Sequence, residues 1–309
     1  MEKVEGKVAF ITGGASGIGL GIAKVFANNN MKVVIADYRQ EALDEAMSYF
    51  SQRKQPVHPI KLDVRDREAF VRAADEAESV FGKIHVLVNN AGVAVSGLVQ
   101  YATYEDWDFC MGINLGGVIN GIVTILPRIL KHKEGGHIVS TSSTAGIFAV
   151  KGSALYCTAK YAVAGLMESL ATDLEGTGVG ASVLIPGAVR TNLEVSSSIM
   201  CASSFGSEKR TDTSSQKQED EFQPPEMDPS VYMDPEEIGE RVLRGIKRND
   251  LFIITHPEFR EGFAVRCQAL LRAVPNEPIN ERRREVISLY ETLLYNPIYE
   301  KQTTPDGVC

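Results

Sequence analysis

Short runs of β-branched and other apolar residues alternate along the chain with longer segments whose apolar residues recur at helical spacing. The short runs predict seven β-strands, at residues 8–11, 33–36, 57–62, 86–88, 137–140, 181–185 and 251–254. The longer segments predict helices at residues 18–30, 41–52, 67–81, 103–131, 153–174 and 234–246. Repeated β–α units of this length predict a doubly wound α/β fold, in which helices cover both faces of a seven-stranded parallel sheet.

The composition of the chain changes after Thr191. Residues 196–229 are rich in Ser, Glu, Gln, Lys and Pro and show little periodicity, which is typical either of a disordered insertion or of a mobile lid. Two more helices are predicted beyond the last strand, at residues 256–274 and 280–294. We therefore predict one domain over residues 1–255, with a lid insertion at about residues 192–233, followed by a C-terminal helical extension over residues 256–309.

Composition and charge exclude several classes of function. The chain has 309 residues, of which 44% are hydrophobic, so it can build a full core. A net charge of -8 disfavours binding to a phosphate backbone, and no nucleic-acid partner is expected. No uninterrupted apolar run approaches the roughly 20 residues of a membrane span. The cysteines Cys110, Cys157, Cys201, Cys267 and Cys309 lack the spacing of metal ligands or of a disulfide framework. We expect a cytoplasmic protein without a metal site.

The first strand is followed by the glycine-rich turn Thr12-Gly13-x3-Gly17-x-Gly19. Glycines at such a junction permit a tight turn and let backbone amides approach a pyrophosphate. The N-terminus of the following helix then faces the negative charge. The turn therefore predicts a dinucleotide site, although its spacing differs from the G-x-G-x-x-G pattern.

Acidic residues follow the second and third strands. Asp37 can accept hydrogen bonds from both ribose hydroxyls of an adenosine and would repel a 2′-phosphate. Unit charges about 4 Å apart interact by about 4 kcal/mol at an effective dielectric constant near 20, which favours NAD over NADP. Arg39 lies close enough in sequence to soften this preference. Asp63 is interpreted either as a partner of the adenine amino group or as an ordinary aspartate at a strand end.

Tyr156 and Lys160 are separated by one helical turn and share a helix face. An ammonium beside a phenol lowers the phenol pKa, which makes a general base usable near neutral pH. The same spacing also occurs in pairs on exposed helix surfaces, so other residues must support a catalytic role. Ser143 follows the fifth strand, where a hydroxyl can polarise a carbonyl, with Ser142 as an alternative. Asn114 carries an amide that a buried helix must satisfy.

These residues, together with Asn89-Asn90-Ala91-Gly92 and Pro186-Gly187-Ala188-Val189-Arg190-Thr191, resemble the short-chain dehydrogenase/reductases over about residues 4–255. The resemblance implies a Rossmann-type domain that binds NAD. It implies that Tyr156 is the general acid/base, that Lys160 lowers its pKa, that Ser143 orients the carbonyl and that Asn114 holds a relay water. The cofactor contacts that it implies are Gly13, Ser16, Gly17, Ile18, Gly19, Asp37, Asp63, Val64, Asn90, Ala91, Gly92, Tyr156, Lys160, Pro186, Gly187, Val189 and Thr191.

The expected reaction is the interconversion of a bulky secondary alcohol and its ketone. The segments at residues 35–40, 104–108, 253–258 and 266–271 are similar to those of bacterial NAD-linked dehydrogenases that oxidise benzylic alcohols of lignin-derived aryl ethers. Three alternatives stay open: a steroid, retinoid or prostaglandin-type hydroxyl dehydrogenase, a 3-oxoacyl reductase (disfavoured by Asp37), and a non-catalytic dinucleotide sensor. His256 is interpreted as a helix-capping residue, with a substrate contact as the alternative. The resemblance also implies a homodimer or homotetramer formed through the helices predicted at residues 103–131 and 153–174.

Overall fold

The computed structural model describes residues 1–205, 228–290 and 292–303. Seven parallel strands form one sheet in the order β3-β2-β1-β4-β5-β6-β7, which confirms the predicted doubly wound fold. The strands are β1 (Val8–Thr12), β2 (Lys32–Asp37), β3 (Val57–Lys61), β4 (Val86–Asn89), β5 (Gly136–Thr141), β6 (Val179–Ile185) and β7 (Phe252–Ile254). The order reverses next to β1, and open sheets of this kind bind ligands where the strand order reverses.

Helices cover both faces of the sheet. They are α1 (Gly17–Asn28), α2 (Gln40–Gln52), α3 (Arg67–Phe81), α4 (Tyr104–Met111), α5 (Gly117–His132), α6 (Ala154–Asp173), α7 (Leu193–Phe205), α8 (Pro235–Arg248), α9 (Arg260–Ala273) and α10 (Glu281–Ser288). Alternate strand residues point to opposite faces, so Phe10 packs near Phe70 of α3 while Ile11 packs with Ile22 of α1. The central strands are therefore buried on both sides, as their continuous apolar runs require.

The long helix predicted at residues 103–131 is a helical run interrupted by a wide π turn. The turn, Gly112–Gly116, joins α4 to α5. By length and composition alone, the run from Tyr104 to His132 could cross a membrane, although no uninterrupted apolar sequence of that length was apparent. About half of its most apolar stretch is buried inside the protein, as is typical of a core helix.

The segments around the predicted lid and extension differ from the sequence-based expectation. Helix α7 occupies the start of a segment in which we predicted no regular structure, while residues 206–227 of the predicted lid lie outside the described residues. Helices α9 and α10 contain no buried residue, and most of the apolar side chains that predicted them are exposed, with Phe263 and Ile287 half-buried. The chain returns to the sheet at the turn Pro297–Tyr299, where Ile298 is buried.

Candidate active site

A cavity of about 630 Å³ opens at the C-terminal edge of the sheet, beside β1 and β4. Its walls come from the segments that follow β1, β2, β3, β4, β5 and β6, together with α6 and α7. We call its two ends the acidic end, formed at Asp37 with the Asp63–Arg65 pair adjoining it, and the tyrosine end, formed around Ser143, Tyr156 and Lys160. Both ends belong to one cavity, so a single extended ligand can contact them together.

The glycine-rich turn forms the floor between the two ends. Gly13 has a φ of 61°, and a Cβ atom there would lie 2.9 Å from Ala91 Cα. The Asn90 side chain donates to the carbonyl oxygens of Thr12 (3.3 Å) and Gly13 (3.2 Å), so the segment after β4 holds the turn in place. The first N–H groups of a helix have no intrahelical partner, and Ser16 makes no side-chain cap to α1. This floor can therefore receive a negatively charged group.

At the acidic end, the Asp37 carboxylate is already bound by the protein. Its Oδ2 accepts from the amide of Ala15 (3.2 Å), and its Oδ1 accepts from the amide of Arg39 (3.1 Å). Burial raises the pKa of Asp37, while these backbone bonds and the Arg39 charge act in the opposite direction. The Arg39 guanidinium donates to Ser16 Oγ (3.0 Å), which directs this positive charge toward the glycine-rich turn.

Asp63 forms an ion pair with Arg65. The Arg65 guanidinium donates to both carboxylate oxygens, at 3.0 Å (Nε to Oδ1) and 2.7 Å (Nη2 to Oδ2). Burial alone would raise the pKa of the Asp63 carboxyl, but the bonds from Arg65 bring it below its ordinary value. The adjacent Val64 lines the cavity, whereas Asp63 does not. The structure thus directs the Asp63 carboxylate to Arg65 rather than into the cavity.

At the tyrosine end, Tyr156 of α6 hydrogen-bonds with Ser143. Ser143 follows β5, and its Oγ also accepts from the amide of Ala145 (3.1 Å). Burial raises the pKa of Tyr156 to about 12, and the bond with Ser143 offsets part of that rise. The direction is opposite to the lowering that we expected beside Lys160, because burial disfavours the charged phenolate.

Lys160 lies one turn further along α6, with its Nζ 5.5 Å from the centre of the Tyr156 ring. The ammonium donates to the carbonyl oxygen of Thr141 (2.9 Å), and burial lowers the pKa of Lys160 to about 8. Ser142 donates its hydroxyl to the backbone carbonyl of Lys160 (2.7 Å). The structure therefore places Ser143 beside Tyr156 and uses Ser142 to hold α6 against β5.

Asn114 lies in the π turn and is completely buried. Its Oδ1 accepts from the amide of Val93 (3.1 Å), and its Nδ2 donates to the carbonyl of Val93 (3.0 Å) and to Cys110 Sγ (3.4 Å). A Cβ atom on Gly92 would lie 2.7 Å from Asn114 Oδ1 and 3.5 Å from Lys160 Nζ. A side chain at position 92 would therefore collide with Asn114 Oδ1, and glycine allows the backbone to pass this close to the amide.

The segment after β6 forms the wall above the floor. Thr191 lies over the glycine-rich turn, since a Cβ atom on Gly17 would be 3.0 Å from Thr191 Cγ2. His256 stands behind this wall and does not line the cavity, and its ring makes no capping bond to the turn Pro257–Phe259. His256 thus occupies the N-cap position of this turn, as interpreted from the sequence, but its ring bonds instead to Gly187 and Ala188.

Most of the predicted site residues line this one cavity, the exceptions being Asp63 and Gly19. Those that line it are Gly13, Ser16, Gly17, Ile18, Asp37, Val64, Asn90, Ala91, Gly92, Asn114, Ser143, Tyr156, Lys160, Pro186, Gly187, Val189 and Thr191. The sequence did not indicate that Tyr38, Met200 and Tyr232 also line the cavity. The apolar spacing of α7, which carries Met200, was a signal that could have indicated a helix there.

A second polar cluster lies at the opposite, N-terminal edge of the sheet. Ligand atoms of His85, His132 and Glu134 lie within 4.8 Å of one another. The Glu134 carboxylate is bound by Lys7 (3.3 Å), Lys83 (2.5 Å) and His85 (3.0 Å). The His132 ring contacts the Ile84 carbonyl through Nε2 and the Glu134 amide through Nδ1. Because these groups satisfy one another and two ammonium groups lie beside them, we assign no metal ion to this cluster.

Comparison with known proteins places the chain in a family. The model of the short chain dehydrogenase family matches residues 7–201. A C alpha-dehydrogenase from Sphingobium sp. (strain NBRC 103272 / SYK-6) is 39% identical over 291 residues, which cover 92% of each chain.

Solved structures are similar over nearly the whole chain. The apo form of LigO from Sphingobium sp. strain SYK-6 is 38% identical with a TM-score of 0.75, covering 94% of this chain and 98% of that chain. A short chain dehydrogenase/reductase from Burkholderia phymatum in complex with NAD is 29% identical with a TM-score of 0.79, covering 91% and 100%. The resemblance found in the sequence is confirmed, and the chain belongs to the short-chain dehydrogenase/reductases, an oxidoreductase family that uses nicotinamide cofactors.

Proposed function

We propose that the protein is an NAD-dependent dehydrogenase that interconverts a bulky secondary alcohol and its ketone. One observation carries this proposal: Ser143, Tyr156 and Lys160 converge at one end of a cavity whose other end holds the buried carboxylate of Asp37. Binding of a dinucleotide alone requires neither the tyrosine nor the serine. The arrangement therefore favours an enzyme over a non-catalytic dinucleotide sensor.

The residues present fit a nicotinamide dinucleotide. Gly13 and Gly17 line the floor of the cavity without a side chain, so a pyrophosphate can approach their backbone closely. Asp37 supports NAD over NADP, because a buried carboxylate repels a 2′-phosphate. Arg39 weakens that repulsion only in part, since its guanidinium is directed to Ser16. When bound, the nicotinamide ring supplies the hydride acceptor or donor for the reaction.

The chain's own residues handle the proton and the substrate oxygen. In the oxidation direction Tyr156 accepts the hydroxyl proton of the alcohol, and in reduction it returns that proton to the ketone. Ser143 hydrogen-bonds to the substrate oxygen and stabilises the charge that develops there. The Lys160 ammonium stabilises the phenolate of Tyr156. A water held by Asn114 relays the proton to solvent.

For the substrate we propose a benzylic secondary alcohol of an aryl ether. The similarity to the C alpha-dehydrogenase, which extends over 92% of both chains, supports this class. Met200, Leu193 and Tyr232 add apolar surface to the cavity, which suits an aryl group. A steroid or prostanoid alcohol would use the same catalytic residues, and it is the alternative substrate class that the experiment must distinguish.

We propose that α7 begins the lid predicted at about residues 192–233. Ser197 Oγ accepts from the amide of Ala94 (2.8 Å), which ties this helix to the segment after β4. Ser204 lies 3.5 Å from Arg65 Nη1 at the acidic end. Helix α7 therefore crosses the cavity between its two ends, as a cover over a bound ligand would. We also propose a division into a domain of residues 1–255 and a C-terminal extension of residues 256–309, which the sequence pattern supports.

We further propose a cytoplasmic homodimer or homotetramer. The exposed apolar residues of α5 support self-association, with Val123 being 69% exposed and Ile119 43% exposed. Leu271 (72%) and Leu289 (78%) give the C-terminal extension a second apolar surface. Light scattering after size-exclusion chromatography tests this assembly. Val123→Glu should lower the oligomeric mass if α5 lies in the interface, and an unchanged mass would exclude α5.

The first experiment measures NADH formation from NAD with aryl, steroid, prostanoid and aliphatic secondary alcohols, with NADP in parallel. We expect turnover with NAD on the aryl alcohols and loss of that turnover in Tyr156→Phe. Turnover only on another class would overturn the proposed substrate but not the mechanism. Bound NADH without turnover on any alcohol would favour the sensor, and turnover only with NADP would contradict the role of Asp37.

A further inference from the structure

The wall of the cavity formed by residues 186–189 is held from behind by a histidine of the neighbouring strand. Strands β6 and β7 are paired, with Ile185 opposite Ile254. The segment after β6 therefore runs beside Thr255 and His256, which follow β7. His256 is half-buried and lies outside the cavity, so it reaches a ligand only through this wall.

The ring of His256 is bonded at both nitrogen atoms. Its Nδ1 accepts from the Thr255 hydroxyl (2.6 Å) and lies 3.3 Å from the amide of Gly187. Its Nε2 donates to the carbonyl oxygen of Ala188 (3.1 Å). Thr255 Oγ1 also accepts from the Gly187 amide (3.2 Å). One ring thus connects an N–H group and a C=O group of two consecutive residues in the wall.

The ring also fills the space that a side chain at position 187 would need. A Cβ atom on Gly187 would lie 2.8 Å from His256 Nδ1 and 2.7 Å from Phe259 Cε2. Contact with these two rings therefore limits how far the wall can move away from the centre of the cavity. A second support exists on the other side, where the Met233 amide donates to the same Ala188 carbonyl (3.0 Å).

We infer that His256 is a positioning residue for the tyrosine end of the cavity, which acts by holding the backbone of residues 186–189 against a bound nicotinamide ring. This inference rests on the proposed function, because it assumes that the cavity holds a nicotinamide dinucleotide. His256 touches neither the acidic end nor Tyr156. Its effect should therefore fall on the nicotinamide half of the ligand and spare the adenosine half.

Two ligands separate the halves. ADP-ribose carries the adenosine, the pyrophosphate and the second ribose but lacks the nicotinamide ring, whereas NADH carries all of them. In His256→Ala we expect the dissociation constant for NADH to rise about tenfold, because the freed wall must be ordered again when the nicotinamide ring binds. The dissociation constant for ADP-ribose should stay within twofold. Isothermal titration measures both ligands, and the fluorescence of bound NADH gives an independent reading.

Two conservative variants and one control make the result specific. In His256→Gln the side-chain amide can still donate to the Ala188 carbonyl, so we expect most of the NADH affinity to return. In His256→Asn only the acceptor facing Gly187 is kept, and the recovery should be smaller. His58→Ala removes a histidine that pairs with Glu76 at the far edge of the sheet, and it should change neither dissociation constant.

Three results would overturn the inference. Equal weakening of NADH and ADP-ribose in His256→Ala would mean a general structural role. Unchanged NADH binding in a folded His256→Ala protein, with the thermal midpoint measured alongside, would mean no role. An unaltered chain that binds ADP-ribose no more weakly than NADH and shows no turnover would overturn the proposed function itself, and the inference with it.

Discussion

The two ends of the cavity treat ionisable side chains in opposite ways: one end stabilises their charges, and the other favours their neutral forms. At the acidic end, the carboxylates of Asp37 and Asp63 are bound by backbone amides and by arginines. At the tyrosine end, Tyr156 and Lys160 are buried with uncharged partners, namely Ser143 and the Thr141 carbonyl. Burial then shifts the two pKa values toward the neutral forms, to about 12 for Tyr156 and about 8 for Lys160. Fixed charges suit recognition, whereas groups that exchange protons suit catalysis.

The largest expected effect comes from removing the hydroxyl of the tyrosine end. In Tyr156→Phe we expect kcat to fall about 10³-fold, because the hydroxyl that exchanges the substrate proton is removed. The dissociation constant for NADH should stay within about twofold, since the acidic end is unchanged. Steady-state kinetics and NADH titration measure the two. Tyr299→Phe is the matched control, because that hydroxyl binds Glu168 at the far end of α6. Retention of most turnover in Tyr156→Phe would contradict the proposed mechanism.

Two adjacent serines give the next test. Ser143→Ala should lower kcat about 300-fold by removing a hydrogen bond to the developing charge on the substrate oxygen. Ser142→Ala removes a buried bond to the Lys160 carbonyl and should cost about 1 kcal/mol of unfolding free energy with little change in kcat. Kinetics together with urea unfolding distinguish them. The reverse pattern would assign the catalytic serine to position 142.

Asp37 tests whether the acidic end selects the cofactor. In Asp37→Asn the ratio of kcat/KM for NAD to that for NADP should fall about thirtyfold, because a repulsion of about 2 kcal/mol after solvent screening is removed. Asp63→Asn is the matched control and should leave the ratio unchanged, since Arg65 already neutralises that carboxylate. A similar change of the ratio in both variants would mean that Asp37 does not determine the cofactor preference by itself.

The pH dependence should separate the ends within one unaltered protein. Oxidation needs the phenolate of Tyr156, so log kcat/KM for the alcohol should rise by about one unit per pH unit between pH 6 and 8. The rise should flatten above pH 8, where Lys160 loses the charge that stabilises the phenolate. NADH affinity should be flat over the same range, because the acidic end takes no part in the exchange of the substrate proton. A flat rate profile between pH 6 and 8 would contradict the role of Tyr156.

The sequence predicted the fold and the tyrosine end better than the acidic end, for a physical reason. Strand runs and the Tyr156–Lys160 spacing are local patterns, and local patterns determine which residues share a face. The sequence indicated that the Asn114 amide would need a hydrogen-bond partner if it were buried, but it did not indicate that this partner is the backbone of Val93.

The capture of Asp63 by Arg65 was not evident, because two acidic strand ends look alike until side-chain directions are known. The position of His256 depends on the pairing of β6 with β7, which brings together residues about 70 positions apart. The pattern of apolar residues defines the sheet but does not specify such contacts, and so it could not predict them.

The smallest expected effect concerns Arg65, and it mirrors the test of His256. The Arg65–Asp63 pair is partly exposed and screened by solvent, so its worth is at most about 1 kcal/mol. Arg65→Ala should therefore raise the dissociation constants for NADH and ADP-ribose about threefold, and by the same factor, because both ligands carry the adenosine that this end contacts. His256→Ala should raise the constant for NADH alone. If Arg65→Ala also weakened NADH alone, the two ends would not act independently, and the lid contact between Arg65 and Ser204 would become the explanation to pursue.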